Sequence, residues 1–512
     1  METTPSSSLN ASVRAVAKNA LSSYLTLALG ALLGFVLTPV LLHELGTEGF
    51  GTWALILAAA NYLVLLEAGL GTATITRTAA SESEGPAALS AVLSSSFVLF
   101  AIVGVAGVLA TALLTVVFPI LFEIPSGLRI EVRIGMFLVG TSTCILLVAS
   151  VYSAALLGTG RMHIVNLKGF AVTALASIVQ LVVLLSGGGI VEIALVQVAG
   201  ACALWLVLRR AVLRALRGVQ IAAGLADRQV MGRLLSLGWR NAVTSVAGLL
   251  AFGSDVLLVG LLLDPTAAAA YAVAFRAYVL LQRLATGVNG AVGPAHAHAA
   301  KAGTSQRRFR IYCIGLQISL AIALLGACVV GVYSEPLLEL WLTDVPAESA
   351  AVLVVLCFTL VLQMPGAQAA TLLLNSERVS ELMKVTLAAA ACNVAFSIAL
   401  TLALGTLGPA LGSLLVVAIV DAMLLPWVVC RMLHQPFAAF LSRGVVPLLP
   451  AAAVLGAVLG GGRAVVAEGP GILGVIALAA AAFSMVWWWS GSGREVRELL
   501  SPRQIGLGRA KS

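Results

Sequence analysis

The chain has 512 residues, of which 60% are hydrophobic and only 10% charged, with a mean hydropathy of +1.05. A soluble globular domain carries about 25% charged residues, so that class is excluded. The charge-free runs Leu21–Leu42 and Gly85–Phe122 are continuous rather than alternating, which excludes a closed β-barrel; the net charge of +8 then reflects basic cytoplasmic loops rather than nucleic-acid binding.

The first twenty residues are polar and include Arg14 and Lys18. No small-residue cleavage site follows a short apolar core, so Leu21–Leu42 is expected as a retained span. Further spans are expected near 50–72, 89–118, 134–157, 168–187, 190–208, 241–263, 266–292, 311–333, 349–374, 383–404, 407–429, 445–461 and 471–490. The fold class is therefore all-α polytopic membrane protein with about fourteen transmembrane helices. Lys and Arg fix an orientation. With the N-terminus inside, 25 of them fall in cytoplasmic segments and 3 in outer loops, which places both termini in the cytoplasm. One outer loop is acidic, with Glu335, Glu339, Asp344 and Glu348.

The halves resemble each other. Arg161 and Lys168 follow an apolar span, as do Arg378 and Lys384 at offsets of 217 and 216. Trp53 and Tyr271 open second spans at an offset of 218, and Asn19 and Asn241 open first spans at 222. Six spans per copy is an even number, so both copies enter from the same side. That predicts two six-helix lobes related by a pseudo-two-fold axis along the membrane normal, plus two extra C-terminal helices. The expected domains are an N-terminal lobe (1–208), a basic cytoplasmic linker (209–240), a C-terminal lobe (241–430) and two additional spans with a cytoplasmic tail (431–512). The linker segment RRAVLRALRGVQ can be drawn as a basic amphipathic helix on the inner leaflet, with Val212, Leu213, Leu216 and Val219 opposite the arginines.

Two cations fall within a span, Arg276 and Arg283. Each costs roughly 2.5–3.5 kcal/mol to insert. Seven residues apart, they share one helix face, two turns apart. That face must meet water, acids or an anionic substrate. The intramembrane acids are Glu67, Asp255 and Asp421. Two readings stand side by side. Asp255 pairs with an arginine and locks two helices, or the arginines bind substrate phosphates, whose oxygens match the guanidinium fork. Glu67 is expected in hydrogen bonds to nearby backbone or to Arg77, in helix pairing, or in proton or sodium coupling, and Asp421 is read in the same way. Asn61, Gln180, Gln197, Gln317, Gln363 and Asn393 also lie within spans, as interhelical ties or as the lining of a hydrated path for sugar.

The seven cysteines form no CxxC pair, and His296 with His298 is too small a set for a metal. No metal, cofactor or catalytic constellation is expected: there is no P-loop and no nucleophile motif, so the chain does not read as an enzyme.

The stretch Leu37–Ala80 carries a Leu45-Gly46 turn, Gly49-Phe50-Gly51 with Trp53, and Glu67-Ala68-Gly69-Leu70-Gly71 ahead of Arg77. With Tyr271–Arg276 followed by Pro294, it resembles bacterial polysaccharide-biosynthesis flippases of the multidrug/oligosaccharidyl-lipid/polysaccharide exporter superfamily. That resemblance implies alternating access in the bacterial inner membrane. The substrate it implies is an undecaprenyl-diphosphate-linked oligosaccharide for lipopolysaccharide, capsule or exopolysaccharide. Arg276 and Arg283 would meet the diphosphate, and membrane lipids, glycosyltransferases and a polymerase would be partners. The alternatives are a cation-coupled multidrug antiporter of the same superfamily, which needs acids in its main cavity, and a non-transporting scaffold for polysaccharide assembly.

Overall fold

The computed structural model describes residues 5–67, 69–124, 126–238, 253–289, 292–293, 296, 299, 304–374, 376, 379–466 and 468–489, with side chains from 26 onward except 27–29 and 31. Asn241, Pro294, His298 and Arg378 lie outside the described residues. Among the described residues the chain is predominantly helical, without strands.

The long helix α1, Pro5–Asn61, holds the first span and part of the second, and Gly46 turns the chain between them at φ 68° and ψ 172°. Only a residue without a Cβ takes that conformation at little cost. A 3-10 turn, Tyr62–Glu67, leads into α2, Leu70–Ser81. Then follow α3 (Pro86–Leu121), α4 (Arg129–Gly158), α5 (Met162–Leu185) and α6 (Ile190–Ala215). The second half has α7 (Asp255–Leu262), α8 (Pro265–Thr286), α9 (Ser305–Trp341), α10 (Ser349–Leu374), α11 (Val379–Leu404) and α12 (Gly408–Ile419). A π-turn, Val420–Leu424, joins α12 to α13 (Leu425–Met432). Last come α14 (Leu449–Val465) and α15 (Gly471–Trp489).

Among the described residues ten stretches are long and apolar enough to cross a membrane. Two of them, Leu32–Glu67 and Ser380–Met432, each hold a pair of crossings, because the chain turns at Gly46 and at Gly405 (φ 67°). Helix α8 is not among the ten because its two arginines and Gln282 lower its hydropathy, and α7 because it has eight residues. The repeat expected from the sequence recurs in the helices themselves: α3, α4, α5 and α6 start at Pro86, Arg129, Met162 and Ile190, and α9, α10, α11 and α12 at Ser305, Ser349, Val379 and Gly408. The offsets are 219, 220, 217 and 218. Packing repeats as well: α3 on α4, α4 on α6 and α5 on α6 are matched by α9 on α10, α10 on α12 and α11 on α12.

The chain divides into two compact units, Met1–Leu249 with Leu263–Ala269, and Leu250–Leu262 with Ala270–Ser512. In the first unit, RRAVLRALRGVQ is not a separate surface helix. It begins as the last two turns of α6, and Val212, Leu216 and Val219 are buried against Leu89, Leu93, Tyr152 and Leu156. Three serines of α3 hold the chain that follows. Ser90, Ser94 and Ser95 accept the backbone N–H groups of Gln220, Ala222 and Asp227 at 2.9, 3.1 and 2.9 Å. Spaced i, i+4 and i+5, they share one face of the helix, which a charge-based reading does not see. In the second unit α12 lies against the backbone of α11: a Cβ on Gly412 would stand 2.8 Å from the Ser397 nitrogen. The extra helices α14 and α15 pair with each other, and α14 also packs on α9.

Candidate functional site

Helix α8 carries both intramembrane arginines. At about 100° per residue, Tyr271, Tyr278 and Gln282 fall on one stripe, and Arg276 and Arg283 lie about 120–140° away on another. The first stripe is sunk into the second unit: Tyr271 is fully buried and Tyr278 nearly so. On the second stripe Arg276 is half-buried and Arg283 is exposed.

The first stripe ends in three linked polar groups. The Tyr271 hydroxyl donates to Asp255 Oδ2 at 2.7 Å, the Ser413 hydroxyl approaches the same oxygen at 3.5 Å, and Asn393 Nδ2 donates to Ser413 Oγ at 2.9 Å. All four residues are buried, and Asp255 Oδ1 has no hydrogen-bond partner among the described residues. One carboxylate thus ties α7, α8 and α12 through hydroxyls, with α11 joined through Asn393. The hydrogen-bond partners of Asp255 among the described residues are thus hydroxyls. One level on, Gln282 Nε2 donates to Tyr278 Oη at 2.9 Å and to Gln363 Oε1 at 3.1 Å, and the Tyr278 hydroxyl reaches Gln363 Oε1 at 3.3 Å. Further along, Gln368 Nε2 donates to Asn289 Oδ1 and Ser319 Oγ, both at 2.7 Å.

Asp421 sits in the π-turn, half-buried. Its neighbour on α10 is Gly366, where a Cβ would lie 2.5 Å from Asp421 Cβ and 2.6 Å from its Cα. The carboxylate therefore rests directly on the α10 backbone, beside Pro365. Glu67 belongs to the first unit. Its Oε1 accepts the Gly71 N–H at 2.9 Å, and Gly69 precedes α2 in a left-handed conformation, φ 69°. The Glu67–Gly71 stretch is thus a helix start: an acid satisfies one orphan amide and suits the positive end of the helix dipole.

The expected site residues are divided between the two units. Arg276 and Arg283 share a face, Asp255 and Asp421 are both in the second unit, and Glu67 is in the first. Sequence reading missed Tyr278, Gln282 and Ser413. The spacing of Tyr271, Tyr278 and Gln282, seven and then four residues, was the available signal, hidden beside two arginines on the same helix. Beyond α8, His296 is buried with neither ring nitrogen bonded among the described residues. Burial and the nearby Arg308 charge push it down to about 4. No group of three or more His, Cys, Asp or Glu that could hold a metal occurs among the described residues.

The family described as polysaccharide biosynthesis protein matches residues 16–300, more than half of the chain and all of α8. No curated protein matches. Among solved structures, the lipid II flippase MurJ in an inward closed conformation is similar at a TM-score of 0.73 and 13% identity, covering 94% of this chain and 99% of that one. An inward-facing multidrug resistance MATE family transporter of the MOP superfamily is similar at 0.66 and 16%, covering 79% and 94%. A MOP superfamily transporter from Pyrococcus furiosus, whose binding pocket is described as having reverse polarity, is similar at 0.56 and 16%, covering 83% and 96%. At these identities the likeness is one of fold.

Proposed function

Because the chain belongs to the polysaccharide biosynthesis protein family, within the superfamily of multidrug, oligosaccharidyl-lipid and polysaccharide exporters, we propose that it flips undecaprenyl-diphosphate-linked oligosaccharides across a bacterial cytoplasmic membrane for surface polysaccharide assembly. The observation that carries this reading is the pair of guanidinium groups on one face of α8, set apart from the stripe that holds the helix in its unit. Arg283 is exposed there. Planar, permanently charged forks suit the two phosphates of an isoprenoid diphosphate. The fold likeness to a protein titled a lipid II flippase supports a lipid-linked cargo.

In this reading both termini are cytoplasmic, as the basic residues dictate. Residues 1–208 and 241–430 act as lobes of an alternating-access carrier, 209–240 joins them, and 431–512 adds the last two spans and tail. Glu67 caps the start of α2, Asp255 ties helices, and Asp421 is the acid for ion coupling. Glycosyltransferases that build the cargo and a polymerase that uses it are the partners.

The test is transport by the purified protein in proteoliposomes, reading movement of a fluorescent lipid-linked oligosaccharide between leaflets. The expected result is protein-dependent flipping that fails for organic cations under a proton or sodium gradient. Efflux of organic cations without flipping would transfer the chain to the multidrug antiporters. Neither activity, with polymer enzymes bound, would make it a scaffold.

A further inference from the structure

The first unit holds a cavity of about 210 Å3 between α4, α5 and α6. Thr173, Ser177 and Gln180 reach it from α5, at i, i+4 and i+7, and Gln197 reaches it from α6. Small residues facing each other, Ala176 and Gly200, leave the room. No charged side chain lines it. Gln180 is only 8% exposed, yet none of the four polar side chains has a hydrogen bond among the described residues. From the turn at 186–189, Gln180 is about 8 Å along its helix and Thr173 about 18 Å, at roughly 1.5 Å per residue. These are membrane depths, where hydrocarbon offers no partner to an amide.

An amide carries two donors and an acceptor, and a hydroxyl one donor and two acceptors. Whatever fills this cavity must therefore both give and take hydrogen bonds. A phosphate only accepts and an ammonium only donates, and each brings a charge that nothing here balances. A neutral hydroxylated molecule meets both requirements. The volume is below the roughly 300–1,000 Å3 of a drug-sized site, which limits the occupant to one small ring or to water.

We propose that this cavity is a carbohydrate subsite that takes one neutral sugar ring through Gln180, Gln197, Thr173 and Ser177. It is separate from the arginine face of α8, so sugar and phosphate are read by different units of the chain. That the sugar arrives on a lipid carrier rests on the flippase reading; the binding of sugar does not.

Saturation-transfer NMR on the full-length protein in nanodiscs tests it, with methyl α-glucoside, methyl N-acetyl-β-glucosaminide and methyl α-rhamnoside as probes and choline and methyl phosphate as controls. The expected result is signal for at least one glycoside and none for the controls. Gln180→Leu and Gln197→Leu should each cut the glycoside signal at least five-fold, and Ile178→Ala, on the opposite face of α5, should leave it unchanged. If Gln180→Leu does not give monodisperse protein, Thr173→Val with Ser177→Ala replaces it and carries the same expectation. No signal for any glycoside, or a signal unchanged in the variants, overturns the proposal and leaves a hydrated pocket only. A protein that binds glycosides but flips no lipid-linked oligosaccharide keeps the subsite and loses the flippase reading. One that flips its cargo while the variants bind and flip as wild type does the reverse.

Discussion

Arg276→Ala and Arg283→Ala bear on the diphosphate reading most directly. The two Cα atoms are about 10 Å apart along α8, within reach of one diphosphate for side chains of this length. A hydrogen bond to a charged group contributes about 1.5–3 kcal/mol. At about 1.4 kcal/mol per tenfold, each truncation should weaken cargo affinity by roughly 10- to 140-fold. If both guanidiniums hold the same diphosphate, a double-mutant cycle should show a coupling of about 0.5–3 kcal/mol. Arg283→Lys keeps the charge but loses the fork, so its loss should be intermediate. Arg283 is exposed, so its removal should change stability by no more than about 0.5 kcal/mol. The assay is flipping rate against cargo concentration in proteoliposomes, with thermal unfolding of each variant as control. Single variants within two-fold of wild type, at normal stability, would refute the assignment of the arginines to phosphate.

Glu67→Ala should cost about 0.5–2 kcal/mol as a lost helix cap, read as a lower unfolding midpoint, and Glu67→Gln should restore it with transport intact; loss of transport in Glu67→Gln alone would make the acid a coupling group. Asp255→Ala removes the acceptor for Tyr271 and should destabilise the protein by about 1–3 kcal/mol, with Asp255→Asn milder and Tyr271→Phe partly compensating Asp255→Ala in the double variant. Gly366→Ala drives a methyl into Asp421 and should cost about 1–3 kcal/mol by thermal unfolding, since backbone as well as side chain must move. His296 is held near 4, against about 6.5 when unfolded. Only the unfolded chain takes up the proton between those values, so stability should fall as pH drops from about 6.5 to 4, by at most about 3.4 kcal/mol, and level off below. His296→Leu should flatten that part of the stability-against-pH curve.

Helix positions and the repeat were legible because they depend on local hydropathy and length. Trp53 and Tyr271, 218 residues apart, are both buried, and the helix starts keep offsets of 217 to 220. Polar partnerships were not legible. Asp255 meets Ser413 across 158 residues, and no spacing rule selects a serine over the arginines of the adjacent helix. Nor does Asp421 announce its place. Its position depends on a π-turn that brings its backbone against Gly366, and one glycine among 50 carries no mark of that contact. The basic segment after Arg209 misled for the opposite reason. Of the apolar face as drawn, Val212, Leu216 and Val219 are buried against the protein's own α3 and α4 instead of lipid, and Leu213 is exposed.

The two stripes of α8 answer a question that composition alone leaves open, namely how a helix with two cations sits in a membrane. Uncompensated, the arginines would turn toward the wettest direction available and the helix would roll with them. Here the roll is fixed by other groups. Tyr271 is anchored to Asp255, and Gln282 and Tyr278 to Gln363, at levels seven to eleven residues apart along the same stripe. Rotating α8 would break both levels and leave a carboxylate and two amides unsatisfied in a dry interior. The direction of the face that carries Arg276 and Arg283 is thus set by hydroxyls and amides on another stripe of the helix. A guanidinium held in a fixed direction loses less freedom on gripping a phosphate than one on a rolling helix. Asp255 thus acts on the arginine face only through the roll of the helix that Tyr271 fixes.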